Sequence, residues 1–334
     1  MINISSIRPI IRHVALGIAA WLLIVSCGTH ATRSDDPAIA SSAACQMIQH
    51  AMGETCVPLN PERIVTIDPF SLENVLALGL QPAGYAIAPD WLEKRDYLRD
   101  RLSDINYAGD HNQPSLERIL ALKPDLIMGL ELESEAVYQQ LAQIAPTVLF
   151  PFETSGQWKE ILMQNAEALD KVDAANELLA DYAARLDDFK AQLEMKDFSS
   201  DESAADPLEV SIIRIYPDTV SVYSNDTFVG TIIEDAGLTR PATQTEEFRL
   251  NLSKESLHLA DADVMFVWSN ETGTNQQQVQ TEIDQLSADP LWKNLDAVQN
   301  NQVYQVPSYW IGSSILTAHA VIDDLFNYLL ETQP

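Results

Sequence analysis

Basic residues are scarce in this sequence of 334 residues. Lysine and arginine together number 20, against 49 aspartates and glutamates, which gives a formal net charge of −29. A surface this acidic repels phosphate backbones and anionic lipid headgroups, so the composition argues against nucleic-acid binding and against membrane docking by charge. The hydrophobic share of 46% is ordinary for a globular protein, and the length suits about two domains.

Histidine is equally sparse, and the short motifs of common enzymes are missing. The six histidines are scattered, whereas a zinc or manganese site needs several histidine and carboxylate ligands. The sequence has no Gly-x-Ser-x-Gly, no His-Glu-x-x-His and no phosphate-binding loop. Asp68, Asp90 and Asp110 lie near predicted strand ends, but nothing pairs them as catalytic acids. We therefore expect no catalytic residues, no metal site and no resident cofactor.

Long apolar runs are also lacking, with one exception near the N-terminus. Val14–Val25 is apolar but shorter than the roughly 20 residues that a membrane-spanning helix needs. Arg8 and Arg12 precede it, and a basic start before a short apolar run is typical of an export signal. Ile24–Cys27 resembles the bacterial lipobox, which implies cleavage before Cys27 and a diacylglycerol on its thiol. A plain secretory signal is the alternative.

These features predict a lipoprotein signal peptide over residues 1–26 and a flexible tether over 27–44. Two cysteines remain beyond Cys27, namely Cys45 and Cys56. In an exported chain such a pair is more often bonded than free. We therefore predict a disulfide that closes a hairpin over 45–59. A metal site is the alternative, but His50 is the one imidazole nearby.

From residue 60 onward, β-branched runs alternate with helical segments. Arg63–Ile67 predicts a strand, and Ser71–Leu78 predicts a helix that Gly79 ends. Such alternation is typical of an α/β lobe with a mostly parallel sheet. We predict one such lobe over 60–155 and a second over 198–334.

The segment between the lobes, 156–197, is helical by its pattern. The apolar residues from Ala175 to Leu193 fall on one face of a helix that runs from Asp173, as N-cap, to about Met195. A helix of about 22 residues spans roughly 33 Å, enough to join two lobes. A helical hairpin inside a single large domain is the alternative.

An internal similarity supports two related lobes. Ser115, Glu117 and Asp125 recur 138 residues later as Ser253, Glu255 and Asp263. In both places they occupy the same position in a helix-to-strand unit. Each lobe should therefore present one glutamate, Glu117 or Glu255, near the start of an exposed helix, where it also favours the helix dipole.

Several segments together carry a family resemblance. They are Pro61–Val65, Leu72–Gly79, Leu116–Ile127, Phe228–Leu238 and Leu252–Phe266. Over about 56–330 the chain resembles bacterial ABC-importer substrate-binding proteins of the iron-siderophore and cobalamin group. The resemblance implies two similar α/β lobes with central mostly parallel sheets, joined by one long helix, with a ligand cleft between the lobes. It also implies that Glu117 and Glu255 dock onto arginines of a permease dimer.

Ligand-binding residues are expected at the carboxyl ends of the strands, where ligands of α/β sheets collect. Arg214 is the main candidate, because a guanidinium presents paired donors that suit carboxylate or hydroxamate oxygens. The resemblance implies an arginine at this strand end as well, and a salt bridge to a local acid is the alternative. Arg95, Arg99 and Arg101 are expected on a solvated helix face. The remaining candidates are Phe70, Tyr85, Trp91, Tyr216, Arg249, Trp268, Tyr309 and Trp310.

Together, the sequence features and the family resemblance predict a monomeric, lipid-anchored protein that delivers a ferric siderophore to an inner-membrane ABC permease. The chelate should be of hydroxamate or citrate-hydroxamate type, with iron present only as part of it. The protein should sit on the periplasmic face of the inner membrane, or on the outer face of the cell membrane where no outer membrane exists. The alternatives are haem, which a tyrosine could ligate, cobalamin, or an exported lipid-anchored enzyme.

Overall fold

The computed structural model describes residues 44–92, 95–196, 207–216, 219–245, 249–269, 276–312 and 314–331. The predicted signal peptide, the lipidation site Cys27 and nearly all of the tether lie outside these residues. None of the described helices combines the length and the apolar character that crossing a bilayer requires.

The described chain begins with a disulfide-bonded hairpin. Strands β1 (Cys45–His50) and β2 (Gly53–Pro58) pair antiparallel, and the predicted Cys45–Cys56 bond is confirmed. The turn between the strands is tighter than expected, because Gly53 takes a φ of +122° and already begins β2. The hairpin covers the edge of the first sheet, where the Ala51 amide donates to the Leu149 carbonyl at 2.9 Å.

The first lobe holds a wholly parallel sheet, in the order β5-β4-β3-β8-β9. Strands β3, β8 and β9 are buried along their length, as parallel strands with covered faces are. A small antiparallel pair, β6 and β7, lies outside this sheet. The strands are β3 (Ile64–Thr66), β4 (Gly84–Tyr85), β5 (Asn106–Tyr107), β6 (Gly109–Asp110), β7 (Gln113–Pro114), β8 (Leu126–Leu130) and β9 (Thr147–Phe150).

The second lobe has a mixed sheet, in the order β12-β11-β10-β13-β14. Strands β10, β13 and β14 are parallel, whereas β11 runs antiparallel to both of its neighbours. The connection from Ile215 to Val220 is too short for a crossover, so it must reverse the chain. Strand β12, which begins at Arg249, was not expected from the sequence. The strands are β10 (Val210–Ile215), β11 (Val220–Tyr223), β12 (Arg249–Leu252), β13 (Val264–Ser269) and β14 (Val303–Gln305).

Helices surround both sheets, and hydroxyl or carboxylate side chains cap several of them. Ser115 caps α2 as predicted, and Asp68, Thr227 and Ser314 cap α1, α5 and α7. The longer helices are α1 (Pro69–Ala77), α2 (Leu116–Leu122), α3 (Trp158–Ala168), α4 (Val172–Met195), α5 (Phe228–Asp235), α6 (Gln276–Ala288) and α7 (Ile315–Leu325). Short helical segments cover Pro89–Leu92, Asp96–Arg99, Glu131–Ser134, Tyr138–Ala142, Pro290–Lys293 and Asp296–Gln299. Turns of 3₁₀ helix cover Glu135–Val137, Ser155–Gln157, Ala242–Gln244, Lys254–Ala260 and Ser308–Ile311, and Phe326–Leu330 forms a π-helical turn.

Two helices connect the lobes. Helix α4 has 24 residues and begins after Lys171, so the predicted N-cap, Asp173, lies inside its first turn. Helix α3 packs on α1 of the first lobe, while its Trp158 donates to Thr231 of α5 in the second lobe at 2.9 Å. One cluster of buried apolar side chains runs from the first sheet through α3 and α4 into the second. The predicted fold class is confirmed, and the two lobes share a core.

We expect the disulfide to stabilise the hairpin rather than the whole fold. Changing Cys45 and Cys56 together to serine frees a loop with a sequence separation of 11, which should lower the free energy of hairpin opening by about 2–3 kcal/mol. Hydrogen exchange at the Ala51 amide should accelerate accordingly. The Ile127 amide, which is bonded to Pro146 inside the same sheet, is the internal control. Equal acceleration at both amides would contradict a local role.

Candidate ligand-binding cleft

A cavity of about 320 Å³ lies between the lobes. Its walls come from the carboxyl ends of strands in both sheets, as expected for an α/β fold. The first lobe contributes Pro69, Phe70, Trp91, His111 and Glu133, and its last loop, after β9, contributes Phe152, Glu153, Thr154 and Ser155. The second lobe contributes Arg214, Tyr216, Tyr223, Thr227, Phe228, Val229, Arg249, Trp268, Trp310, Ile311 and Gly312.

The structure brings most of the predicted ligand-binding residues to this cavity. Seven of the nine line it: Phe70, Trp91, Arg214, Tyr216, Arg249, Trp268 and Trp310. Tyr85 does not, because it lies toward the far edge of the first sheet, with its ring centroid 5.9 Å from that of Tyr107. Tyr309 does not either, because its hydroxyl donates to Asp324 of α7 at 2.7 Å.

Aromatic rings form much of the cavity wall. Trp268 and Trp310 are almost fully buried, so each presents an edge of a fixed ring rather than a mobile rim. Trp268 packs against Tyr223 with ring centroids 5.2 Å apart, and Trp310 is anchored by a 2.7 Å hydrogen bond to Asp324. Gly312 has a φ of +62°, and a Cβ there would lie 1.6 Å from the ring of Phe228. These contacts make the apolar wall rigid.

Two arginines gather around one tyrosine on the second-lobe side. The Arg214 guanidinium lies 4.5 Å from the ring centroid of Tyr216 and donates to the Tyr223 hydroxyl at 3.3 Å. Arg249 donates to the Tyr216 hydroxyl at 3.1 Å. Among the described residues, neither arginine has a carboxylate within 4.0 Å. Their positive charge therefore faces the cavity without an acidic partner from that part of the chain.

One donor of this pair also forms no hydrogen bond within the part of the chain that the structure describes. It is the Nε atom of Arg214, which is buried. A buried donor in that state costs about 1–3 kcal/mol, more when it is charged. Such a cost is typical of a binding site in which the ligand supplies the missing hydrogen-bond acceptor.

The first-lobe side carries the carboxyl group of Glu133, which was not among the residues predicted from the sequence. Glu133 lines the cavity, and its Oε2 atom is buried and has no hydrogen-bond partner among the described residues. Burial, together with the nearby carboxyls of Asp68 and Asp110, raises the pKa of Glu133 to about 7. His111 lines the same wall, with Nδ1 at 3.4 Å from Asp110. Applying the strand-end rule to β8, which ends at Leu130, would have identified Glu133.

A buried carboxylate, Glu73 of α1, holds the two sides of the cavity together. It is fully buried, and it accepts hydrogen bonds from Ser314 and Thr317 at the start of α7, the latter at 2.8 Å. Tyr97 contributes as well, since its hydroxyl lies 3.3 Å from Glu73 Oε1 and 2.9 Å from Thr317 Oγ1. Burial raises the pKa of Tyr97, so the phenol stays neutral.

Arg95 extends this network to the cavity wall and corrects one expectation. It was predicted on a solvated helix face, but it is only 3% exposed, with Nε 3.6 Å from the Glu73 carboxylate. Its guanidinium stacks 3.3 Å from the ring centroid of Trp91 and donates to the Trp91 carbonyl at 2.8 Å. Arg101 is exposed as expected. Glu73 therefore fixes Trp91 through Arg95 on one wall, and the start of α7 on the other.

The two predicted docking glutamates occupy equivalent places. Glu117 lies in the first turn of α2 after the N-cap Ser115, and Glu255 lies in the first turn of the 3₁₀ helix after Ser253. The 3₁₀ form replaces the α-helix expected there. Both side chains are exposed, one on each lobe. Hydrogen bonds at the helix start lower the pKa of Glu255, which keeps it ionised.

Within the ranges that the structure describes, no group of three or more histidine, cysteine, aspartate or glutamate side chains could hold an ion. His50, the candidate nearest the cysteines, is instead engaged by Thr55 at 2.8 Å, and burial lowers its pKa.

Comparison with known proteins gives a consistent picture. The family model described as periplasmic binding protein matches residues 64–310. The chain is 31% identical to the probable siderophore-binding lipoprotein YfiY of Bacillus subtilis, over 96% of this chain and 99% of the relative. It is 30% identical to the Fe(3+)-citrate-binding protein YfmC of the same organism, over 96% and 98%. It is also similar to the crystal structure of SirA from Staphylococcus aureus complexed with staphyloferrin B, with a TM-score of 0.76, 30% identity and coverage of 86% and 100%.

Replacing Glu73 with glutamine should destabilise the protein by about 3 kcal/mol, because it leaves the Arg95 charge buried without its partner. Urea unfolding measures the loss, with the exposed Glu177→Gln as the matched control. Adding Arg95→Met should cost less in the Glu73→Gln background than in the wild type, since the unpaired charge is then removed. Strictly additive losses would show that the two side chains do not act as a pair.

Proposed function

Because the chain belongs to the periplasmic binding protein family, we propose that it is the substrate-binding component of an ABC importer for a ferric siderophore. The observation that carries the proposal is the pair Arg214 and Arg249, which faces an aromatic-lined cleft with no carboxylate partner among the described residues. A ferric chelate has apolar faces and negatively charged oxygens. The aromatic walls suit the faces, and the guanidinium donors suit the oxygens.

The chelate is proposed to be rich in carboxylate, hydroxamate or both. Relatives that bind ferric citrate and staphyloferrin B support an anionic, oxygen-rich ligand. Haem held by a tyrosine is less well supported, because the Tyr216 hydroxyl already accepts from Arg249 and lies 2.9 Å from the Tyr223 hydroxyl. In this proposal iron enters only within the chelate, and the protein carries out no chemical step.

Delivery is proposed to depend on the exposed glutamates. Glu117 and Glu255 would meet basic residues on the two halves of a permease dimer, with one contact from each lobe. A lipid on Cys27 would hold the monomeric protein at the periplasmic face of the inner membrane, or at the outer face of a cell membrane. The shared core and the Glu73 network limit how far the lobes can close, so capture would need little movement.

Arg214→Ala should weaken binding of the ferric chelate by about 10- to 100-fold, the loss expected for charged hydrogen bonds. Intrinsic fluorescence reports binding directly, because Trp91, Trp268 and Trp310 line the cavity. The titration panel is ferric citrate, a ferric dihydroxamate-citrate, a ferric trihydroxamate, a ferric catecholate, haem and cobalamin. Arg101→Ala, at an exposed arginine outside the cavity, is the control.

The panel separates the alternatives. Saturable quenching by haem or cobalamin alone would leave the family assignment unchanged but would contradict the proposed ferric siderophore ligand. Quenching by a ferric chelate that Arg214→Ala leaves unchanged would overturn the role of that arginine. A panel without any quenching would overturn the transport proposal and favour an exported enzyme.

Reversing both docking glutamates, Glu117→Arg with Glu255→Arg, should abolish uptake of the radiolabelled ferric chelate by cells while leaving its dissociation constant within about twofold. The reason is that both side chains are exposed and lie outside the cavity lining. Glu177→Arg with Glu194→Arg changes the net charge equally on the exposed side of α4 and should leave uptake intact. A loss of chelate affinity in the first pair would show that these glutamates shape the cleft instead.

A further inference from the structure

Resting on the proposed function, we infer that the bound chelate is two-sided. Its acidic oxygens face Arg214, and an N–H or O–H donor on its opposite edge binds the carboxylate of Glu133. Glu133 is thereby a specificity-determining residue that selects a chelate carrying amide, amine or hydroxyl hydrogens over one that is acidic all round.

The position of Glu133 is fixed by the backbone. The helical segment Glu131–Ser134 follows directly on Leu130, the last residue of the buried strand β8. Strand β8 lies between β3 and β9 in the first sheet, so the segment starts from an interior part of the lobe. This connection fixes the backbone of Glu133 beside the cavity, and its Oε2 atom is buried there.

Each wall of the cavity carries one buried polar atom whose hydrogen-bonding capacity is unused, an acceptor on one wall and a donor on the other. Among the described residues, the buried acceptor Glu133 Oε2 has no donor, and the buried donor Arg214 Nε has no acceptor. Both residues line the same cavity, one from each lobe. Buried polar atoms are nearly always hydrogen-bonded in native proteins. A ligand that forms a hydrogen bond with each of these two atoms would explain why neither is bonded within the described chain.

Charge is distributed in the same two-sided way. Among the described lining residues, the first lobe supplies no lysine or arginine, and its ionisable side chains are His111, Glu133 and Glu153. The neighbouring Asp68 and Asp110 add negative potential, which together with burial raises the pKa of Glu133. A chelate with carboxylates on every edge would be repelled at this wall, whereas a donor there would relieve the repulsion.

The test uses two synthetic ligands that differ in one feature. Both are ferric complexes of a citrate diamide; the amide nitrogens carry hydrogen in one and methyl in the other. Tryptophan fluorescence gives the dissociation constant of each for the wild type, for Glu133→Met, which removes the acceptor at similar length, and for Glu133→Gln, which keeps an acceptor oxygen. Glu135→Met, at an exposed carboxyl outside the cavity lining, is the matched control.

The wild type and Glu135→Met should prefer the N–H complex by about tenfold, the size expected for one hydrogen bond to a charged group. Glu133→Met should lose that preference, and Glu133→Gln should keep part of it. Equal binding of both complexes by the wild type would overturn the inference, as would a full preference in Glu133→Met. Equal weakening of both complexes in Glu133→Met would show that Glu133 instead donates a proton to a chelate oxygen. If neither complex binds, the inference is overturned for citrate amides, and the titration panel above then decides separately whether the transport proposal survives.

Discussion

The buried carboxylate of Glu73 is the contact on which the shape of the cleft depends. It receives hydroxyl donors from the start of α7, and through Arg95 it fixes the ring of Trp91. One wall of the cavity therefore cannot shift without disturbing the other. A buried ion pair of this kind adds little net stability compared with apolar packing, so its value here lies in the positions that it enforces. The cleft is prepared before a ligand arrives, which reduces the ordering that binding must otherwise supply.

Within this frame, the polar groups are divided between the lobes. Guanidinium donors gather on the second lobe around Tyr216, while Glu133 and His111 face them from the first. The separation has a physical reason: had Glu133 lain beside Arg214, the two would have neutralised each other, and neither would be available to a ligand. Holding them on opposite walls leaves Arg214 Nε and Glu133 Oε2 without a hydrogen bond among the described residues. The resulting cost in stability is the usual compromise at a functional site. The same separation would let an acidic protein bind the proposed anionic chelate, because the local charge at one wall outweighs the net charge.

Much of the fold could be predicted because its signals are local. Strand and helix alternation, the Ser115 cap and the hairpin cysteines are all visible within a few residues of sequence. The features that the sequence did not predict depend on contacts between residues that are far apart in the chain. Glu73 and Ser314 are separated by 241 positions, and no periodicity in the mixed-charge stretch around Arg95 indicates that it is buried against them. The strand-end rule located the cleft but could not tell which side chain of a neighbouring pair points inward, so it selected Tyr309 together with Trp310. The second sheet was expected to be mostly parallel, because the prediction did not consider that the short connection after Ile215 makes β11 antiparallel to its neighbours.

Rigidity also bears on release. The apolar core is continuous from one sheet through α3 and α4 to the other, so the lobes lack the loose connection that would let them open freely. In the proposed mechanism, contacts with both walls hold the chelate, so a force that separates the walls would speed its release. The exposed Glu117 and Glu255 are placed one on each lobe, and in the proposed mechanism a permease that grips both can apply such a force. Since a partner can shift an equilibrium only by its differential affinity for two states, the permease must bind the separated lobes more tightly than the closed pair. Because the binding protein is stiff, the rate of ligand release in this mechanism would be controlled by the transporter.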